Sequence, residues 1–255
     1  MDFFYNFMAA MKILYRVYSI YAVLLFVITF LIFFPFFFII IPFSRLHFIA
    51  QWINNTWARI FFILMLMPYR NEYRSKIDKK QQYIFCANHF SFMDIAVMAM
   101  APVFALYTGK ESISKVPLFG YMFKKLHITI DRSTSAGRYE AYKKYENALD
   151  EGKSLIVFPE GGIWSEAPPQ MSKFKDGPFK TAILKQIPII PVTIPFNWII
   201  LPDNGKYLVH WHRCKVIYHE PVYTHGMTLD QMNELKQEVY NIIGEELKKQ
   251  NSKNQ

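Results

Sequence analysis

The stretch Asn88-His89-Phe90-Ser91-Phe92-Met93-Asp94 sets an imidazole and a carboxylate five positions apart. Tyr83-Ile84-Phe85-Cys86-Ala87 precedes it, and Ile95-Ala96-Val97-Met98-Ala99-Met100 follows it. The first run is short and apolar and predicts a buried strand. The second predicts the start of a helix opened by Ser91. His89 then falls at a strand-to-helix turn, near the positive end of the helix dipole, where an uncharged ring able to accept a proton is favoured. A neutral imidazole held by a carboxylate is the equipment of a general base, able to deprotonate a hydroxyl as it attacks an acyl group. A plainer reading exists for the same residues. Ser91 with Asp94 three positions on looks like a capping box, in which Asp94 only caps a backbone amide.

Working outward, the apolar runs alternate with amphipathic segments from Tyr83 to the C-terminus. Strands are expected at 83–87, 103–107, 127–130, 154–158, 189–194 and 207–218. Helices are expected at 92–101, 116–125, 136–150, 176–185 and 228–249. Strands alternating with helices predict a layered α/β domain. Its last helix is well signalled: Thr228 and Gln231 form a capping pair, and Met232, Leu235, Val239, Ile242 and Leu247 make one apolar stripe. The tail from Gln250 to Gln255 is polar and expected to fray. Residues 71–82 are polar and charged, so the α/β domain is expected over 71–249, after an N-terminal segment of 1–70.

That N-terminal segment has a different chemistry. From Val17 to Ser44 there are 28 positions without a charge, between Arg16 and Arg45. A helix needs roughly 20 apolar residues to cross a bilayer. A signal peptide is excluded, because the apolar part is too long and no small-residue cleavage site follows. Pro35 lies mid-run among Phe33, Phe34, Phe36, Phe37 and Phe38, and a proline there breaks or kinks a helix. Two readings fit: one kinked span, or a hairpin of two helices that dips in and returns on the same side. A second apolar stretch, Ile60 to Met67, follows. Basic residues flank both ends of the first run, so charge bias gives no orientation, and a hairpin with both ends cytoplasmic is the expectation.

Composition agrees with a membrane-associated protein. The 255 residues are 52% hydrophobic and 18% aromatic, with a net charge of +9. A basic surface suits anionic lipid or an acidic protein partner. Nucleic acid is not an expected partner, since no nucleic-acid motif is present and the aromatics lie in apolar runs. Cys86 and Cys214 form no metal or redox pattern and read as buried free thiols. His210 and His212 share one strand face, but with no third ligand nearby no metal is expected.

Three further blocks carry polar chemistry. The first runs Gly109-Lys110-Glu111, Pro117-Leu118-Phe119-Gly120 and Ile128-Thr129-Ile130-Asp131-Arg132. Arg132 follows a strand-like run; a guanidinium there grips phosphate bidentately, with Lys110 as a point charge. The next, Phe158-Pro159-Glu160-Gly161-Gly162-Ile163-Trp164-Ser165, follows the apolar run 154–158 and puts a glutamate on a tight loop at a strand end. Phe174-Lys175-Asp176-Gly177 comes after it. The last, Ile187-Pro188-Ile189-Ile190-Pro191-Val192, suits an edge strand or the wall of an apolar cleft.

In this order the four blocks resemble those of the glycerolipid acyltransferases related to lysophosphatidic acid acyltransferase. The match runs through Asn88, His89 and Asp94; Lys110, Glu111, Pro117, Gly120, Asp131 and Arg132; Phe158 to Gly161, then Phe174, Lys175 and Gly177; and Pro188, Pro191 and Val192. It covers about residues 83–200. One departure stands out. The family's third block usually continues Thr-Arg-Ser, and here Gly162 and Ile163 stand in place of Thr and Arg.

The resemblance implies an α/β fold with a mixed central sheet flanked by helices, and a membrane-embedded N-terminal hairpin. It implies transfer of a fatty acyl group from coenzyme A or acyl carrier protein to the free hydroxyl of 1-acylglycerol 3-phosphate, giving phosphatidic acid. His89 would be the base and Asp94 its orienting partner. Asn88, Lys110, Arg132, Glu160, Gly161 and Lys175 would bind substrate, with no cofactor and no metal. Partners would be membrane lipids, the lysolipid acceptor and the acyl donor, at the cytoplasmic face of the cytoplasmic or inner membrane. The missing arginine leaves an acceptor without a phosphate, such as a lyso-aminolipid, as an alternative; a catalytically silent membrane-binding module is another.

Overall fold

The structure is a computed structural model that describes residues 2–131 and 134–252. Seven strands form one sheet in the order β1-β7-β6-β2-β5-β3-β4. They are β1 (Tyr69–Tyr73), β2 (Ile84–Ala87), β3 (Ala105–Lys110), β4 (Ile128–Ile130), β5 (Ser154–Val157), β6 (Ile189–Thr193) and β7 (Cys214–Tyr218). Neighbours pair in parallel except β6 with β7, so the sheet is mixed as expected. β2, β5 and β6 are buried along their whole length, consistent with their unbroken apolar sequence.

The helices are α1 (Asp2–Ile40), α2 (His47–Leu64), α3 (Met93–Met98), α4 (Phe119–Leu126), α5 (Ser135–Asp150), α6 (Gly177–Lys185), α7 (Asn197–Ile200) and α8 (Met232–Ser252). One face of the sheet is covered by α2, α3 and α4, with Phe61, Phe62, Val97, Met98 and Phe123 meeting Phe85, Val192 and Val216. The other is covered by α5, α6 and α8, with Tyr145, Phe179, Val239 and Ile243 meeting Ile84, Leu155 and Ile189. The stripe of α8 runs through Leu235, Val239, Ile243 and Leu247; Ile243 takes the place expected of Ile242, which is only partly buried beside it. Helix α8 also continues to Ser252, past the expected fraying at Gln250, because Asn251 donates to the Leu247 carbonyl and Gln250 to Glu246.

Three expectations are corrected. Pro35 does not break the N-terminal helix, which continues to Ile40. Phe30, Phe34 and Phe37 pack against Ile53 of α2 and Phe119 and Met122 of α4, and this holds both halves of α1 across the missing hydrogen bond. The chain turns instead at 41–46, and α2 runs back beside α1, with Tyr18 and Tyr21 donating to the Met65 and Leu64 carbonyls at 2.9 and 2.7 Å. Strand β1 lies across the expected boundary at 70/71. Its sequence, Tyr-Arg-Asn-Glu-Tyr, reads as polar because it is an edge strand: Glu72 and Arg74 turn to Lys215 and Glu246, at 2.9 and 3.0 Å, while Tyr69 and Tyr73 stack on Phe62 and Tyr218. Strand β7 begins only at Cys214. Before it, Val209 N–H bonds Ser19, His210 N–H bonds the Ile200 carbonyl and Trp211 bonds the Leu66 carbonyl, so 207–213 ties down the helices instead of extending the sheet.

Met11–Ile40 is long and apolar enough to cross a membrane. Its outer side exposes Ile13, Val17, Ile20, Leu24, Ile28, Ile32, Phe36 and Ile39, and α2 adds Phe48, Trp52 and Ile63. So large a contiguous apolar surface marks membrane association.

Candidate active site

Strand β2 ends at Ala87, and the chain turns sharply through His89 into α3. The turn is closed by Asp94, whose side chain is fully buried. Asp94 Oδ2 accepts the backbone N–H of Phe90 at 2.8 Å and of Ser91 at 2.9 Å, and lies 3.0 Å from His89 Nδ1. Asp94 Oδ1 accepts from Asn197 Nδ2 at 2.9 Å. Ser91 Oγ accepts the Met93 N–H and donates to the Leu201 carbonyl. The capping reading thus holds, and the same carboxylate also makes the ring contact that the general-base reading requires. One carboxylate caps the turn and orients the ring. Helix α3 has only six residues, so its dipole is a small contribution beside this direct bond.

With Nδ1 donating to Asp94, the unprotonated nitrogen is Nε2. Nε2 makes no hydrogen bond among the described residues, and the ring lines a cleft of about 340 Å³. Phe158, at the end of β5, stacks on the ring with centroids 4.1 Å apart and planes 19° from parallel. Phe92, Ile95, Ile113 and Phe123 give the cleft an apolar lining, and Lys110, Ser112, Gly161, Gly162, Trp164 and Asp203 also line it. Gly109 makes room for the Phe123 ring: a Cβ there would stand 2.6 Å from Phe123 Cζ.

The residues expected to bind substrate divide. Lys110 is exposed at the cleft, and Gly161 lines it at a turn where φ is +84°. Lys175 is exposed but lies outside the residues that line this cleft; its backbone N–H bonds the Pro159 carbonyl. Arg132 lies outside the described residues. Two expectations are corrected. Asn88 is fully buried, and its amide forms a two-way bridge to the Ile194 backbone, accepting N–H at 2.7 Å and donating to the carbonyl at 3.0 Å. It joins the ends of β2 and β6, and with its side chain wholly buried it presents no surface to substrate. Glu160 is also buried: Oε1 accepts the His89 N–H at 2.7 Å and Oε2 the Ser172 N–H at 2.8 Å. Glu160 therefore clamps the backbone beneath the His89 ring. Burial pushes its carboxyl up to about 7, against the lowering effect of the two N–H donors.

Asn197 and Asp203 are site residues that sequence reading missed. Asn197 meets Asp94 across 103 positions, and no local pattern signals such a contact. The departure at 162–164 was visible in the sequence, but not that the Trp164 ring lies against Gly162, where a Cβ would stand 2.6 Å from Nε1.

A mixed sheet with a His–Asp pair at the end of a central strand, beside a cleft and an exposed apolar hairpin, is the architecture of a membrane-associated acyltransferase. The chain belongs to the lysophosphatidic acid acyltransferase family of glycerolipid acyltransferases. The acyltransferase family model matches residues 69–195. A 1-acyl-sn-glycerol-3-phosphate acyltransferase of Saccharomyces cerevisiae is 30% identical over 208 residues, covering 78% of this chain and 67% of that protein. One from Haemophilus influenzae is 26% identical, covering 75% and 77%. The crystal structure of the 1-acyl-sn-glycerophosphate acyltransferase PlsC from Thermotoga maritima superposes with a TM-score of 0.78 at 21% identity, over 94% of this chain and 97% of that one, and so shares the fold.

Proposed function

We propose that this chain transfers a fatty acyl group from a thioester to the free hydroxyl of 1-acyl-sn-glycerol 3-phosphate, forming phosphatidic acid. The observation that carries the reading is His89 Nε2, unpartnered among the described residues and facing an apolar cleft, with Nδ1 fixed on Asp94. Nε2 takes the proton of the acceptor hydroxyl as its oxygen attacks the thioester carbonyl. Asp94 stabilises the imidazolium that results. The tetrahedral intermediate collapses, the carbon–sulfur bond breaks, and the imidazolium returns the proton to the leaving thiolate. The nucleophile is the substrate's own oxygen, so no acyl-enzyme forms.

The thioester is carried by coenzyme A or acyl carrier protein, both cytoplasmic, which sets the site at the cytoplasmic face. The apolar lining residues of the cleft suit acyl chain, and Lys110 suits the acceptor's phosphate. A second acceptor class, a lysolipid with an amine in place of the phosphate, is favoured by one feature. Gly162 and Ile163 bring no cation to the cleft, and Asp203 and the Trp164 ring line it instead.

The test is purified protein in detergent, given labelled acyl-coenzyme A or acyl carrier protein and a panel of lysolipids. Labelled phosphatidic acid is the expected product. Transfer to an amine-bearing lysolipid alone would select the second acceptor. No transfer to any acceptor, or full activity in His89→Ala, would overturn the enzyme reading.

A further inference from the structure

The four donors around Asp94 are unequally shared. Oδ2 takes the ring and two backbone amides; Oδ1 has one donor among the described residues, Asn197 Nδ2. Asn197 is fully buried at the start of α7, and its own Oδ1 accepts the Cys214 thiol at 3.4 Å. That contact decides which end of the amide faces the carboxylate. A thiol needs an acceptor and a carboxylate needs a donor; the flipped amide would set oxygen against carboxylate. Burial and the nearby Asp94 charge push the Cys214 thiol up, so it keeps its proton as a donor. The end of α7 is tied to the same turn, through Ser91 Oγ and the Leu201 carbonyl at 2.8 Å.

We propose that Asn197 is a positioning residue for the His89–Asp94 pair, and that Cys214 fixes the direction of its amide. Asn197 locks the carboxylate plane so that Oδ2 stays on Nδ1 as the ring gains and loses its proton. It does this through Asp94 and not by touching substrate. The inference deepens the acyl-transfer reading, and its kinetic arm rests on that reading.

The experiment compares wild type, Asn197→Leu, Cys214→Ser and Cys214→Ala in detergent micelles. Asn197→Leu is expected to lower kcat roughly 10–100-fold, by analogy with the outer hydrogen-bond partners of metal-bound histidines, with KM for the acceptor within about 2-fold. In ¹⁵N-histidine NMR spectra, with His89→Gln identifying the resonance, the wild-type ring is expected to show a protonated Nδ1 and a bare Nε2. Asn197→Leu is expected to give mixed tautomers. Cys214→Ser keeps a donor and is expected to match wild type, while Cys214→Ala falls between. Wild-type kcat in Asn197→Leu, or an unchanged ring signal, overturns the inference. If Asn197→Leu does not fold, the cysteine pair decides, and equal kcat for serine and alanine overturns it. If wild type transfers no acyl group, the acyl-transfer reading fails, while the ring signal still decides the role of Asn197.

Discussion

Asp94 Oδ2 holds His89 Nδ1 at 3.0 Å with the same oxygen that accepts the Phe90 and Ser91 amides. The orientation of the ring and the fold of the turn therefore share one atom. The two residues should fail differently when changed. His89→Ala should lower turnover by roughly 10²–10⁴-fold, the usual contribution of a general base, with little change in melting temperature. Asp94→Ala should lower turnover comparably and also melt early, since it strands buried donors at roughly 1–3 kcal/mol each. Labelled-acyl turnover and thermal melts on both variants separate the roles; equal melting temperatures would refute the shared one.

Asn88 is expected to matter for stability and not for substrate affinity. Asn88→Ala leaves the Ile194 N–H and carbonyl without their partner at the ends of β2 and β6. A loss of about 2 kcal/mol is expected in chemical denaturation. In protein that remains folded, KM for the acceptor should be unchanged; a KM increase with normal stability would return Asn88 to the substrate.

Glu160 supplies a pH dependence whose sign follows from its burial. Its carboxyl is raised to about 7 from an ordinary 4.5. An acid raised on folding favours the native state while protonated, and that advantage is lost as pH rises from about 4.5 through about 7. Relative to Glu160→Gln, which does not titrate, wild type should be most stable below about pH 4.5. It should lose about 3 kcal/mol of that difference by pH 8. Paired denaturation curves across this range check it, and a difference independent of pH would show that folding does not raise the Glu160 carboxyl.

The outer side of α1 should hold the protein on membranes. Ile28 and Ile32 are both exposed there. Ile28→Glu with Ile32→Glu sets two charges on the surface expected to meet lipid, and charged groups are costly in a bilayer. Flotation with phospholipid vesicles should show the variant shifting away from the lipid fraction while the far-ultraviolet spectrum is retained. Full flotation would place the membrane contact elsewhere.

Much of this site could be read locally. The apolar run before Asn88 and the one before Pro159 each specify a buried strand, and function collects where such strands end. His89 and Asp94 lie within one turn, so their spacing carried their contact. Strand β1 was hidden because an edge strand with charged partners on one side has no apolar signature. Whether Pro35 ends the first helix could not be read locally, because the packing that carries α1 past it comes from Ile53, Phe119 and Met122, distant in sequence.

What the chain order alone determined was the alternating α/β plan, the apolar anchor and the His89–Asp94 pair, since each depends on neighbours a few positions apart. Only the tertiary structure decided that Asn88 and Glu160 are internal clamps, that Asn197 reaches Asp94, and that Phe158 backs the ring. The contacts of Asn88 with Ile194, Glu160 with His89, Asn197 with Asp94 and Phe158 with His89 all join residues far apart in the chain. The physical reason is that a buried polar group takes whichever partner packing brings to it, and packing between strands and helices far apart in the chain leaves no periodic trace in the residues themselves.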